Sequence, residues 1–180
     1  MSRHIFLVGA PGVGKSTLAE ALIAHLKKPV WGFCSKKEDT LAQEALGSPI
    51  YLYEGGKARI QEPHRLMGWC KDRKPVVIPE ALDAFAPLLD REAPKGHLIL
   101  MDEIGFMESA SPAFCKGIMR HLDGDLPVLA VVKDKDTPFL RSVREHPKGI
   151  CYYVDGENRD SLLPSLLEHV RQYWNMEEDL

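Results

Sequence analysis

The chain has 180 residues, of which 44% are hydrophobic and 27% charged, and this predicts one globular domain over residues 1–180 with enough apolar material for a core. Its formal net charge of −3 argues against a general nucleic-acid-binding or membrane-binding surface. The four cysteines (Cys34, Cys70, Cys115 and Cys151) form no C-x-x-C pair, so we expect reduced thiols in a cytoplasmic protein rather than a zinc site.

The first predicted elements flank a glycine-rich loop. Residues 5–8 form an apolar run typical of a buried strand and too short for a signal peptide, and residues 17–26 have the pattern of a helix. Between them, Gly9-Ala10-Pro11-Gly12-Val13-Gly14-Lys15-Ser16 fits the phosphate-binding (Walker A) pattern G-x-x-x-x-G-K-[ST]. The alternative is a chance glycine loop, but a strand before the loop and a helix after it are the context that this pattern requires.

These residue types suit a bound triphosphate. Backbone N–H groups of the loop can surround the phosphates, and the helix that follows adds the positive end of its dipole. Lys15 is expected to act on the β- and γ-phosphates, and the Ser16 hydroxyl to bind Mg²⁺. The predicted nucleotide contacts are therefore Gly9, Ala10, Pro11, Gly12, Val13, Gly14, Lys15, Ser16 and Thr17.

The next part of the chain is less regular. The predicted segments are a strand over 30–34, a polar loop over 35–39, a short helix over 40–46, a strand over 49–53, a turn over 54–57, an irregular region over 58–72, and a strand over 74–78. Pro79 is expected to begin a helix that runs to about residue 91. Glu80 and Asp83 lie near its start, where surface carboxylates favoured by the helix dipole are the simplest interpretation.

A second functional stretch follows. The apolar run 97–101 predicts a strand, which ends in Asp102-Glu103. In phosphate-binding-loop proteins an acid at this position (Walker B) is placed beside Mg²⁺, so Asp102 is predicted to bind the metal and Glu103 to orient or deprotonate the attacking water. A plain acidic turn is the alternative, and the presence of the loop motif favours the metal site.

The remainder alternates helices and strands. Ser111 as N-cap and Pro112 as first residue predict a helix to about residue 122. The segments predicted after it are a strand over 127–132, a polar loop over 133–136, a short helix opened by Thr137-Pro138 and running to about residue 145, a strand over 149–154, and a final helix that starts at Asp160 or Ser161. This alternation predicts an α/β fold with a mostly parallel sheet and helices on both faces. Right-handed crossovers would then bring the loop and Asp102 to the same edge of the sheet.

At residues 102–108 the sequence D-E-I-G-F-M-E, with Ser111 and Phe114 after it, resembles the thermostable nucleoside-triphosphatase family that includes the cancer-related nucleoside-triphosphatase. Further similar segments are the loop at 9–16, W-G-F-C-S at 31–35, P-V-L-A-V-V at 127–132 and N-R-D at 158–160. The family usually has an R-x-G-F turn after its G-F-x-T segment, and residues 36–46 contain no such turn.

The resemblance implies a three-layer, RecA-like fold that hydrolyses ATP, GTP and other nucleoside triphosphates with Mg²⁺. It assigns Lys15, Ser16, Asp102 and Glu103 to phosphate binding, metal binding and water activation. It also places Asn158 and Arg159 near the nucleotide. From the residues alone, Asn158 and Arg159 fit a loop and helix cap equally well.

Two other functions use the same parts. A small-molecule kinase would add an arginine-bearing lid, for which residues 133–144 are the only candidate, and a nucleotide-dependent switch or assembly factor would use slow hydrolysis to reset binding to a partner. Four arginines could assist catalysis but are more simply surface residues: Arg120, Arg141, Arg144 and Arg159. A nucleic-acid translocase is disfavoured because the chain shows no basic stripe interleaved with aromatic residues.

Overall fold

A computed structural model describes residues 3–174. The strands are β1 (His4–Gly9), β2 (Val30–Lys37), β3 (Ser48–Glu54), β4 (Leu66–Lys71), β5 (Lys74–Val77), β6 (Leu98–Ile104), β7 (Val128–Lys133) and β8 (Gly149–Tyr153). The α-helices are α1 (Lys15–Leu26), α2 (Pro79–Leu89), α3 (Pro112–Asp123), α4 (Pro138–Arg144) and α5 (Arg159–Tyr173). Short 3₁₀ helices lie at Asp39–Leu41, Pro63–Arg65 and Met107–Ala110.

All eight strands form one sheet in the order β5-β4-β3-β2-β6-β7-β1-β8. Five adjacent strands are parallel to their neighbours, in the order β2, β6, β7, β1 and β8. Strands β3, β4 and β5 extend the sheet beyond β2 with antiparallel pairings. Since β1, β2, β6 and β7 run parallel, their carboxyl ends meet at one edge of the sheet. The phosphate-binding loop follows β1 and the acidic pair ends β6, so this edge carries both predicted motifs.

Helices cover both faces, which confirms the predicted three-layer α/β architecture. Alternate residues of β1 show the division: Ile5 and Leu7 pack with α1 and α5, while Phe6 and Val8 pack with α2, α3 and α4. All six residues of β1 are buried, as expected for a central strand with both faces covered. Within residues 3–174, no helix is both long and apolar enough to cross a membrane.

Helix starts follow the predicted capping chemistry. Ser111 precedes α3, and its Oγ accepts a hydrogen bond of 3.2 Å from the backbone N–H of Phe114. Thr137 does the same for α4, with its Oγ1 accepting from the N–H of Leu140 at 3.2 Å. Pro79 occupies the first turn of α2, where its missing N–H has no cost.

Three sequence predictions for the region from β2 to β4 were wrong. Residues 35–37, predicted as a polar loop, continue strand β2, and residues 40–46 form a 3₁₀ turn and a tight turn rather than a helix. Part of the region 58–72, predicted as irregular, forms β4, which pairs with β3 on one side and β5 on the other. These strands depend on pairing with distant parts of the chain more than on the local sequence pattern of apolar and polar residues, which is weak here.

His4, at the start of β1, is fully buried and holds one tautomer. Its Nε2 donates to the carbonyl of Leu122 at 2.8 Å, and its Nδ1 accepts from the N–H of Val128 at 3.2 Å. The pKa of His4 is lowered from 6.5 to about 4, mainly by burial; the hydrogen bond to Leu122 opposes this effect, and positive charge at His146 and Lys148 adds to it. Protonation of Nδ1 would also replace this acceptor with a donor that faces the N–H of Val128, so the hydrogen bond would be lost.

We therefore expect His4 to reduce stability in acid. Between pH 6.5 and pH 4 the unfolded chain binds a proton that folded His4 does not, so this contribution is intact above pH 6.5 and is lost as the pH falls. At pH 5 the loss is about 2 kcal/mol relative to pH 7. His4→Gln, which cannot titrate, should lose correspondingly less stability between these pH values in urea unfolding. An equal loss in both proteins would contradict this role for His4.

Candidate functional site

The phosphate-binding loop lies between β1 and α1 at the carboxyl edge of the sheet. Gly14 immediately precedes α1 with a φ of 96°, in the left-handed region that favours glycine. Gly9 is required for a different reason: a Cβ there would collide with the carbonyl oxygen of Val154. Ala10, Pro11 and Gly12 are exposed, so the loop is open to a ligand from solvent.

Lys15, the first residue of α1, folds back over the start of the loop. Its Nζ donates to the carbonyl oxygens of Gly9 and Ala10, both at 2.7 Å, and the residue is 7% exposed. Burial lowers the pKa of Lys15, and the nearby Glu103 carboxylate opposes this effect. The ammonium group therefore lies at the start of the loop, within the influence of the Glu103 charge.

Ser16 and Asp102 connect the two motifs directly. The Ser16 Oγ donates to Asp102 Oδ1 at 2.8 Å, although the residues are 86 positions apart. Asp102 is 3% exposed, near the end of β6. A hydroxyl and a carboxylate held this close are the oxygen donors that phosphate-binding-loop proteins offer to Mg²⁺, so the residues present fit that ion.

Lys36 is a member of this site that the sequence did not predict. Its Nζ lies 3.0 Å from Asp102 Oδ2, so Asp102 is held by Ser16 on one oxygen and Lys36 on the other. Burial alone would lower the pKa of Lys36, but the adjacent Asp102 carboxylate raises it above its usual value. No sequence signal indicated this contact because Ser35, Lys36 and Lys37 resemble a polar loop. In the structure they extend β2 beyond its last pair with β6, Cys34–Asp102, and pair with β3.

Glu103 occupies a bulge in β6. Asp102 pairs with Val131 and Ile104 with Val132, which leaves Glu103 as the extra residue, with a φ of 88°. Bulges redirect side chains, and here two consecutive carboxylates, those of Asp102 and Glu103, lie at the same edge of the sheet. Glu103 Oε1 lies 3.0 Å from Lys133 Nζ, which balances its charge.

Glu108 fixes the turn that follows this bulge. Its carboxylate accepts a hydrogen bond of 2.8 Å from the N–H of Gly105, and the residue is 2% exposed. Burial raises the pKa of Glu108 to about 7, against the opposing effect of this hydrogen bond. The last acid of D-E-I-G-F-M-E therefore stabilises the loop behind Glu103.

The segment that precedes α5 lies on the other flank of the loop. A Cβ on Gly14 would collide with Arg159 Cδ, which places the Arg159 side chain against the loop. Asn158 is occupied differently: its Oδ1 accepts from the N–H of Asp155 at 2.9 Å, and its Nδ2 donates to the carbonyl of Tyr153 at 2.8 Å. The Arg159 side chain therefore contacts the loop, whereas the Asn158 amide stabilises the turn between β8 and α5.

The other candidate arginines have structural partners. Arg120 donates to the carbonyls of Leu89 and Arg91, at the end of α2. Arg141 pairs with Asp136, and Arg144 donates to the carbonyls of Lys133 and Lys135. Helix α4, in the segment considered as a lid, buries Leu140 and Val143 in the core. This anchored packing does not resemble a mobile lid.

The chain is similar to known proteins over most of its length. A family model described as NTPase matches residues 4–167. The nucleoside-triphosphatase THEP1 of Hyperthermus butylicus is 32% identical, with 96% of this chain and 93% of that protein covered. The cancer-related nucleoside-triphosphatase homolog of Mus musculus is 29% identical, with 95% and 98% covered. The crystal structure of THEP1 from Aquifex aeolicus superposes with a TM-score of 0.68 at 27% identity, over 92% of this chain and 97% of that one.

Proposed function

Because the chain belongs to the NTPase family, we propose that it hydrolyses nucleoside triphosphates, ATP and GTP among them, to the diphosphate and phosphate at the phosphate-binding loop. The observation that carries the site assignment is the 2.8 Å hydrogen bond between Ser16 and Asp102. It joins the loop motif to the strand-end acid in the arrangement that triphosphate hydrolysis requires.

In this proposal the loop and Lys15 bind and orient the triphosphate. Backbone N–H groups at the start of α1 face the phosphates, and Lys15 moves from the Gly9 and Ala10 carbonyls to the β- and γ-phosphates. The ammonium then compensates negative charge that develops on the transferring phosphoryl group. Arg159, whose side chain lies beside Gly14, contributes a second positive charge on the flank of the loop next to the start of α5.

Ser16 and Asp102 would hold Mg²⁺, which, when bound, neutralises charge on the β- and γ-phosphate oxygens. Lys36 keeps the Asp102 carboxylate oriented toward Ser16. Glu103 accepts a proton from the attacking water, and Lys133 holds the Glu103 carboxylate in place for that step.

Asp102→Ala tests the metal assignment. Phosphate release by the unaltered protein should rise with Mg²⁺ and stop with EDTA. The variant should lose both the activity and its dependence on Mg²⁺, because one of the two metal ligands is gone. Asp90→Ala removes an exposed carboxylate at the end of α2 and should retain the unaltered response. A normal Mg²⁺ titration in Asp102→Ala, with the fold intact by circular dichroism, would place the metal elsewhere.

A further inference from the structure

A cavity of about 660 Å³ opens beside the phosphate-binding loop. Pro11, Gly12 and Glu103 form the wall nearest the loop. The rest of the wall comes from the ends of β2 and β7, the antiparallel strands β3 to β5, and the turn after β6. We call this space the second-ligand cavity. Its volume is in the range of small-molecule sites.

The second-ligand cavity extends away from the flank where Arg159 lies. Strand β1 stands between β7 and β8, and Arg159 approaches the loop from the segment that follows β8. The cavity lies on the opposite side, toward β6 and the strands beyond it. Of the residues assigned to the triphosphate, the metal or the attacking water, the cavity shares only Pro11, Gly12 and Glu103.

Charge in the second-ligand cavity is opposite to that of the whole protein. The chain has a formal net charge of −3, yet four basic and two acidic side chains line the cavity. One acid, Glu103, is paired with Lys133, and burial raises the pKa of the other, Glu108, to about 7. Lys37 lies 3.6 Å from an Asp39 carboxylate oxygen, so the positive excess comes mainly from Arg73 and Lys135. Such a surface attracts an anion.

Most of the remaining wall of the cavity is apolar. Its apolar residues are Ile50, Met67, Pro75, Phe106 and Met107, and Ser35 and Cys70 complete the lining. Met67 and Met107 belong to the core, so this wall is backed by packed side chains. Methionine and aromatic side chains adapt to flat apolar ligands. The cavity thus combines a binding surface for an apolar body with several cations.

We propose that the second-ligand cavity binds a small organic anion, a phosphorylated or carboxylated molecule with an apolar body, while a nucleoside triphosphate occupies the loop. The inference rests on the proposed function in placing the γ-phosphate and its attacking water near Glu103. A ligand in the cavity stands between Glu103 and bulk water, so its binding slows phosphate release.

Two naphthalene probes test the site by calorimetric titration of the full chain. The loop is first saturated with Mg²⁺ and a non-hydrolysable ATP analogue, so that its own phosphate site is blocked. 1-Naphthyl phosphate or 1-naphthoate should then bind with one-to-one stoichiometry, and the better of the two identifies the anionic group. Inorganic phosphate, which lacks the apolar body, should bind at least about tenfold more weakly.

Arg73 and Lys74 give a matched pair of variants. Both are exposed residues of the hairpin between β4 and β5, but only Arg73 lines the cavity. Arg73→Ala should weaken binding of the preferred probe about tenfold and should relieve its inhibition of phosphate release, because a charge-assisted hydrogen bond is lost. Lys74→Ala should change neither, and both variants should retain basal phosphate release.

Three results would overturn the proposal: neither naphthalene probe binds, the ATP analogue abolishes probe binding, or Arg73→Ala and Lys74→Ala behave alike. Probe binding does not depend on hydrolysis. If the protein released no phosphate but the probe bound as described, the hydrolytic assignment would fail and the second-ligand cavity would stand.

Discussion

Lys15→Ala should abolish detectable phosphate release and weaken triphosphate binding by roughly 10- to 100-fold. The ammonium is held at 2.7 Å from the carbonyls of Gly9 and Ala10, within the loop that receives the triphosphate. Alanine keeps α1 helical but removes the only loop side chain that carries a positive charge toward the β- and γ-phosphates. Both binding and stabilisation of the transferring phosphoryl group are then lost.

A fluorescent triphosphate analogue measures the binding, and a coupled phosphate assay measures the release. Lys116→Ala is the matched control, since it removes one lysine from the exposed face of a helix, α3, away from the loop. It should bind and hydrolyse like the unaltered protein. Normal hydrolysis by Lys15→Ala would mean that the triphosphate is held somewhere other than this loop.

Glu103→Gln should slow phosphate release by about 100-fold or more while leaving triphosphate binding nearly unchanged. Glutamine has the same size and can occupy the bulge of β6, but it cannot accept the proton of the attacking water. The ion pair with Lys133, 3.0 Å in length, is also replaced by a neutral contact. The rate of the chemical step therefore falls more than the affinity.

Glu108→Gln is a demanding control for this variant, because it makes the same change five residues further along the same motif. The Glu108 carboxyl has a pKa of about 7 and accepts from the N–H of Gly105, which a glutamine oxygen can also do. Its phosphate release should stay within about threefold of the unaltered protein. If Glu103→Gln is as active as Glu108→Gln, water activation belongs to another group.

The sequence predicted the site where chemistry dictates residue type. The loop from Gly9 to Ser16 and the strand-end Asp102 were recognisable because phosphate and Mg²⁺ restrict which residues can surround them. The parallel sheet and the helix starts at Ser111-Pro112 and Thr137-Pro138 were also predictable, since apolar periodicity and capping are local signals.

The sequence did not predict features that arise from distant pairing. Strand β4 exists because it pairs with β3 and β5, and nothing in its own composition outweighs the irregular pattern around it. Lys36 joins the site because β2 continues past Cys34, its last residue paired with β6, along β3, and only the assembled sheet shows this. The bulge at Glu103 is likewise a property of the β6–β7 register.

Steady phosphate release in the absence of any acceptor tests the central claim most directly. Purified protein is incubated with Mg²⁺ and, separately, with ATP, GTP, CTP and UTP, and phosphate is followed over many turnovers. The proposed function predicts continuous release with at least one of these nucleotides, and its complete loss in Lys15→Ala. Tight nucleotide binding with no release would contradict it and would favour a kinase that lacks its acceptor or a switch that lacks its partner.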